Sequence, residues 1–369
     1  MDFRLSSEQE MLKDSARRFV TAELDYEARA KHVIAGSDRW ATLAEMGWLM
    51  LPISEAYGGL GSKLEDISLI CEELGRGVAI EPFVTCGFMP SRLLDLSDAA
   101  CAGETLPLLA SGEVRFAVAL YEAATRYDLT GLGTIATASG DGYVLNGRKP
   151  LVFGGAEAGQ IIVAAASANG EGVALYLVPA DAAGVSRRAY RTIDNLPVAD
   201  IVFDNVALGA GALLAEAGRA EAVLKQAIDE TIVLLCMDAV GCMDRAIEMT
   251  AEYLHVRQQF GQPLAAFQAL QHGVANLFID ANEARSLTYR AMAACAQDDA
   301  GERARAVSAC KFSVMETARR VTGQAVHFHG GIGITCEYPV GEYLRRMLVA
   351  EQIFGNGAYH LHRYLDATN

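Results

Sequence analysis

The residues best placed to meet a ligand lie around a break between two helical stretches. The run from Ile228 to Gln271 begins with Ile232 to Val240, which is apolar on nearly every side with Asp238 the one exception. A helix apolar all round is buried all round. The run is shorter than the roughly 20 residues that a membrane span needs, so it reads as the central helix of a bundle. From Asp244 onward the character changes. Ile247, Leu254 and Phe260 continue the inward face, whereas Glu248, Glu252, Arg257 and Gln258 leave it. Gly261-Gln262-Pro263 then breaks the helix, and Phe267 to Leu277 begins another. Arg257, Gln259 and Phe260 therefore stand at one helix end and Gln268 at the start of the next. Helix ends carry unsatisfied backbone groups and gather polar partners. A second such place is Val326-His327-Phe328-His329-Gly330-Gly331-Ile332-Gly333, whose glycines let backbone come close to a ligand. The two histidines suggest a metal, but no third ligand is placed by the sequence, so no metal site is expected.

Composition narrows the function classes. A chain of 369 residues allows two or three domains and a sizeable core. The net charge of −15 argues against nucleic acid, whose binding needs clustered Lys and Arg. A strongly acidic substrate would need positive charge placed locally. The eight cysteines are scattered without a C-x-x-C pair, so no zinc or disulfide framework shows. Cys71, Cys236 and Cys310 sit in apolar runs and read as small core residues. The first ten residues do not read as a signal peptide, and a reducing cytoplasm is the expected location.

In chain order, residues 5–33 read as a helix capped by Ser6 or Ser7, with Met11, Leu12, Ala16, Phe19 and Val20 at helical spacing. Asp38 to Met46 is a second helix and Ile67 to Leu74 a third, with a glycine turn at Tyr57 to Gly61 between them. Residues 114–206 change period. Six short runs read as strands: Arg115 to Leu120, Thr134 to Ser139, Tyr143 to Asn146, Gln160 to Ala164, Gly172 to Leu177 and Asp200 to Phe203. Asp141-Gly142 is a hairpin signal. Ala210 to Gly218 reads as a return to helix, and helices follow at 219–257, 264–297, 302–326 and 342–366.

The spacing Tyr253-Leu254-x-x-Arg257-x-x-Phe260-Gly261-x-Pro263-x-x-x-Phe267-Gln268-x-x-Gln271 resembles the acyl-CoA dehydrogenase family, flavoenzymes that desaturate acyl-CoA thioesters. Met46-Gly47-Trp48, Tyr57-Gly58-Gly59-Leu60-Gly61 and Glu72-Glu73-Leu74-Gly75-Arg76 are similar to its N-terminal domain. Gly142-Tyr143-Val144-Leu145-Asn146-Gly147 and Ile201-Val202-Phe203-Asp204-Asn205-Val206 resemble its middle domain. The resemblance implies an α+β fold: an N-terminal helical domain over 1–113, a middle β-barrel or sandwich over 114–215, and a C-terminal four-helix bundle over 216–369. It also implies FAD shared at a subunit interface. Arg257, Phe260 and Gln268 would reach the FAD of a neighbouring subunit. His327, Gly330 and Gly331 would lie beneath its adenine half.

The chain departs from that family where the chemistry is done. Removing a thioester α-proton needs a carboxylate base, and the β-hydride needs a flavin ring stacked on the Cα–Cβ bond. The family's Thr-Glu-Pro-x-Ala-Gly-Ser-Asp loop is Tyr121 to Asp128 here, keeping only Glu122 and Asp128. Its Trp-Ile-(Thr or Ser) is Leu151-Val152-Phe153, and Phe153 cannot hydrogen-bond a flavin. The usual base position is Gly355. The family's alternative base position is Thr231, with Glu230 beside it as the remaining carboxylate, set against a solvated or capping role. The resemblance therefore points to the flavin-site-degraded subunit of a heteromeric acyl-CoA dehydrogenase. A homologous subunit is its expected partner, a bulky (steroid side-chain) acyl-CoA its substrate and electron-transfer flavoprotein its acceptor. A self-sufficient homotetramer using Glu230, and a non-catalytic acyl-CoA-binding scaffold, are the other readings.

Overall fold

A computed structural model describes residues 4–167 and 172–368. The order of elements is helices, then a sheet, then helices, as expected. Two compact units partition the chain. One joins residues up to Gly36, Leu64–Ala79 and residues from Ile232; the other joins Ser37–Lys63 and Ile80–Thr231.

In the first unit, α1 (Ser7–Glu23) opens with a reciprocal cap. The Gln9 amide donates to Ser6 Oγ at 3.2 Å and the Ser6 amide to Gln9 Oε1 at 3.0 Å. The single helix expected over 5–33 is two. α1 stops at Leu24, and α2 (Tyr26–Ala35) restarts from Asp25, whose carboxylate accepts the Ala28 N–H at 2.8 Å. A short acceptor side chain at that position offers the backbone a new helix start. α4 (Leu64–Arg76) crosses α7 (Arg219–Val256) at two glycines. A Cβ on Gly75 would stand 2.0 Å from the Asp238 carbonyl oxygen, and one on Gly241 1.9 Å from that of Glu72. Backbone therefore meets backbone, and neither position admits a side chain. Along α7, no residue from Ile232 to Val240 is more than 9% exposed, as the apolar run required. Cys71, Cys236 and Cys310 are buried in the same unit.

α8 (Gln268–Cys295) and α9 (Ala300–His329) follow α7. The last expected helix is again two, α10 (Val340–Ala350) and α11 (Gly357–Asp366). The chain reverses between them at Phe354 (φ 58°) and Gly355 (φ 116°). Buried Lys311 of α9 donates to the Ala350 carbonyl at 2.5 Å, holding the end of α10 where that reversal begins.

The second unit contains short helices α3 (Trp40–Glu45), α5 (Met89–Ser97) and α6 (Ala102–Ala110), and one mixed sheet. Its strands are β1 (Phe116–Ala119), β2 (Ile135–Ser139), β3 (Gly142–Phe153), β4 (Gln160–Ser167), β5 (Val173–Pro179), β6 (Val185–Arg191), β7 (Pro197–Leu208) and β8 (Leu213–Ala215). The order is β6-β7-β3-β2-β4-β5-β8, with β1 beside β4. β1 and β2 run parallel to β4; the other pairs are antiparallel. The β2–β3 hairpin closes with Ser139 opposite Gly142, so Gly140 and Asp141 form the turn, one residue earlier than the Asp-Gly signal. Leu145, Ile161, Val163, Val178 and Ile201 fill the core of the sheet. Two strands were not legible, β6 and β8, and the helix expected over 210–218 is instead a 3-10 turn (Ala210–Ala212) followed by β8. Among the described residues, no helix is long and apolar enough to cross a membrane.

Candidate functional site

The candidate ligand-facing residues of the first unit come together around the end of α7. Arg257 follows its last residue. A two-strand hairpin then pairs Gln258–Gln259 with Gln262–Pro263 over Phe260-Gly261. Both turn residues have positive φ, 56° and 80°, as tight hairpin turns demand. For Gly261 this is easy; for Phe260 it is strained by roughly 1–2 kcal/mol. Phe260 was expected to face inward with Ile247 and Leu254. Instead it is 89% exposed, because the turn carries it out of the helical period, and its ring meets Phe267 edge-on at 6.1 Å. The Arg257 backbone is fixed at both ends: its N–H donates to Tyr253 and its carbonyl accepts from Leu264, each at 2.8 Å. Its side chain and that of Gln268, the first residue of α8, are exposed.

His327, Gly330 and Gly331 are also exposed, and a Cβ on either glycine would meet nothing within 4 Å. Two contacts gather these separate stretches. A Cβ on Gly273 would stand 2.5 Å from Phe328 Cζ, so the first turns of α8 lie against the last turn of α9. His329, only 2% exposed, stacks on Tyr253 at 4.5 Å and meets Tyr338 at 4.7 Å. Its Nδ1 pairs with the Ala325 carbonyl at 2.7 Å, and burial lowers its pKa, which keeps the ring neutral. Tyr253 lies one helical turn before Arg257, so this stack anchors the glycine turn beside the arginine. Tyr253, His329 and Tyr338 were missed as supports, although the His-Phe-His alternation marked the place. The result is a surface with an exposed guanidinium, an amide, an aromatic ring and glycine backbone that no neighbouring atom crowds. Those groups suit a diphosphate joined to flat rings: the planar fork of Arg matches phosphate oxygens, and glycines admit close approach.

At Gly355 there is no proton acceptor, and none could be added simply. A Cβ there would lie 2.4 Å from Tyr359 Cδ1 and 2.7 Å from His360 Nε2. His360 is fully buried, with Nε2 bonded to the Phe354 carbonyl at 3.1 Å. Burial first, then the nearby Lys311 charge, drives its pKa down to about 3, so the ring does not protonate near neutrality.

In the second unit, the geometry speaks against Glu230 as a base. It is 6% exposed, and Arg92 holds both its oxygens, Nε to Oε2 at 2.7 Å and Nη2 to Oε1 at 3.1 Å. Gln226 adds a third bond at 3.0 Å. With both oxygens bonded to neighbouring side chains and almost no exposure, the carboxylate presents no open face to a substrate. It is neither solvated nor a cap. The Thr231 hydroxyl donates back to the Ala227 carbonyl at 2.6 Å.

The loop from Tyr121 to Asp128 is built for itself. Glu122 accepts from the Gly133 and Thr134 amides at 2.7 and 2.9 Å, and from buried Lys149 at 2.8 Å. Burial opposes the charge of Glu122, but these donors outweigh it and its pKa falls from 4.5 to about 2. Asp128 is taken up by Thr130, and Tyr121 meets the Tyr127 ring edge-on at 5.8 Å. Leu151 is 44% exposed at φ 51°, held through its N–H to Asp200 at 3.2 Å, and the Phe153 carbonyl accepts from Cys86. Neither Leu151 nor Phe153 offers a side-chain donor.

The comparisons with known proteins agree along the whole chain. The model of the acyl-CoA dehydrogenase N-terminal domain matches residues 6–113, that of the middle domain 117–206 and that of the C-terminal domain 220–367. The chain is 29% identical to the acryloyl-CoA reductase (NADH) of Anaerotignum propionicum, over 98% of this chain and 94% of that one. It is 27% identical to the probable acyl-CoA dehydrogenase YngJ of Bacillus subtilis (strain 168), over 100% and 99%. Among solved structures, a variant of the Tcur3481-Tcur3483 steroid ACAD superposes with a TM-score of 0.87 at 29% identity, covering 98% of this chain and 97% of that one. With its N-terminal, middle and C-terminal parts each matched by its own model, the chain belongs to the acyl-CoA dehydrogenase family.

Proposed function

We propose that this chain is one subunit of a heteromeric acyl-CoA dehydrogenase and lends half a site to an FAD held mainly by a homologous partner. The family supplies the reaction class, oxidoreduction of an acyl-CoA. When bound, FAD accepts the hydride from the β-carbon of the thioester. Arg257 would pair with the FAD pyrophosphate, Gln268 and His327 would offer polar contacts, Gly330 and Gly331 would admit the adenine half, and Phe260 would cover an apolar edge. The carrying observation is the contrast between two halves. This exposed set is gathered by the His329 stack, whereas the Leu151 and Phe153 side chains carry no hydrogen-bond donor and Gly355 no base. The chelation of Glu230 by Arg92 supports a partner-borne base over a self-sufficient homotetramer.

A bulky acyl-CoA, such as one with a steroid side chain, is the proposed substrate, and likeness to a steroid ACAD supports it. Electron-transfer flavoprotein is the proposed acceptor and the cytoplasm the proposed location. The domain division at 113 and 215 is kept with this reading. The test is expression of this chain alone and with a homologous acyl-CoA dehydrogenase, measuring flavin absorbance per subunit and acyl-CoA oxidation. The chain alone should be colourless and inactive, and the complex should hold flavin and turn over. Stoichiometric flavin and activity in the chain alone would sink the proposal. A complex that forms without flavin would point to the scaffold reading.

A further inference from the structure

A cavity lies wholly within the first unit, and none of the residues lining it is among those assigned to flavin. It has a volume of about 450 Å³, the size of a small-ligand site. Arg245, on its wall, precedes Arg257 by 12 residues of sequence along α7, about 18 Å at 1.5 Å per residue. No step of the proposed reaction uses it.

Its charge is unusual for so acidic a chain. Arg17, Arg29, Arg76 and Arg245 line it, against Asp25, Glu73 and Glu342. The carboxylates are engaged. Both oxygens of Glu73 accept from Arg17, at 2.7 and 3.4 Å. Glu342 accepts from Arg29 at 3.1 Å and from Arg345, and Asp25 caps α2. The guanidiniums are not exhausted. Arg17 commits Nε and Nη2 to Glu73, Arg76 commits Nη2 to Glu248 and pairs through Nε with Glu73 at 3.6 Å, and Arg245 commits only Nη1, to Glu248 and Glu252. A guanidinium has five N–H donors, so these three keep N–H groups without a protein acceptor among the described residues. Beside them the lining is apolar, formed by Val20, Leu24, Met249 and Pro339.

A rim with surplus donors, engaged carboxylates and an apolar floor selects an acceptor-rich anion with a greasy body. We propose that this cavity is a second binding site, for a small organic anion: a carboxylate or phosphate head on a short aliphatic chain. The head would meet Arg17, Arg76 and Arg245, and the chain would lie on Leu24 and Met249.

Met249 lines the cavity, so its methyl reports on what occupies it. In the chain labelled at methionine methyls, with the Met249 signal assigned through Met249→Leu, octanoate and octyl phosphate would be titrated separately. At least one should move that signal saturably, and the tighter of the two identifies the head. Arg245→Met and Arg17→Met should each weaken it tenfold or more, while the other methionine signals stay in place as evidence of folding. Thr21→Trp, which puts an indole on the cavity wall and keeps every arginine, should abolish the shift by another route. The proposal is overturned if neither anion moves the Met249 signal, if octanol moves it equally well, or if the shift survives in both arginine variants.

Discussion

Replacing Glu230 by Gln separates a structural carboxylate from a catalytic one. In the folded chain, Glu230 receives two hydrogen bonds from Arg92 and one from Gln226 while only 6% exposed. Removing one member of a buried pair typically costs about 3–5 kcal/mol. Here Arg92 keeps Asp95 at 2.9 Å and is itself 21% exposed, and the Gln carbonyl still accepts one bond. The loss should therefore sit below that range, at about 2 kcal/mol, or roughly thirtyfold in the folding equilibrium. Urea denaturation of the chain measures this directly. Under the proposed partner-borne base, turnover of the reconstituted complex should stay within a few-fold of wild type. Arg92→Met should reproduce the stability loss and the unchanged rate. Loss of a general base costs on the order of a hundredfold or more. A rate drop of that size in Glu230→Gln, with an unchanged urea midpoint, would refute the reasoning and restore Glu230 as the base.

Four further outcomes are expected. Arg257→Ala in the complex should weaken FAD retention ten- to a hundredfold, about 1.5–3 kcal/mol for a charge-assisted contact, with the assembly intact by gel filtration. Phe260→Asn should stabilise the isolated chain by about 1 kcal/mol, since Asn tolerates positive φ, yet loosen flavin in the complex; thermal melts and flavin release read the two effects. Gly241→Ala should destabilise by about 3 kcal/mol or more, seen in its urea midpoint, because its methyl meets the Glu72 carbonyl and two backbones must part. Glu122 has a folded pKa of about 2 against 4.5 unfolded, so its contribution is present above 4.5 and is lost as pH falls towards 2. Glu122→Gln should flatten that acid limb of the stability curve.

Much of the fold was legible because period and burial coincide. Ile232 to Val240 reads as a fully buried helix and is one, and six strands were found where β-branched residues alternate. β6 was hidden because Ser186-Arg187-Arg188 has no apolar alternation. It is an edge strand, and its arginines are largely exposed. The breaks at Leu24–Asp25 and at Phe354-Gly355 were hidden because the apolar spacing continues across them. At the site, a shared ligand for Arg257, Gln268 and Gly330 was implied by the family resemblance alone, since spacing does not join residues so far apart in the chain. The fate of Glu230 was not, since its partner Arg92 lies 138 residues away and only tertiary packing joins them. Phe260 was misjudged because helical periodicity says nothing about a residue carried outward by a turn.

Gly355 has a historical consequence. Its backbone angle suits no ordinary side chain, and Tyr359 and His360 already occupy the room a new one would take. A single codon change there cannot return a working carboxylate. The neighbours would have to change in the same lineage, through intermediates less stable than the starting protein. Under the proposed division of labour, a base is not readily regained at this position. Two genes that have parted in this manner stay mutually dependent, and loss of either strands the other.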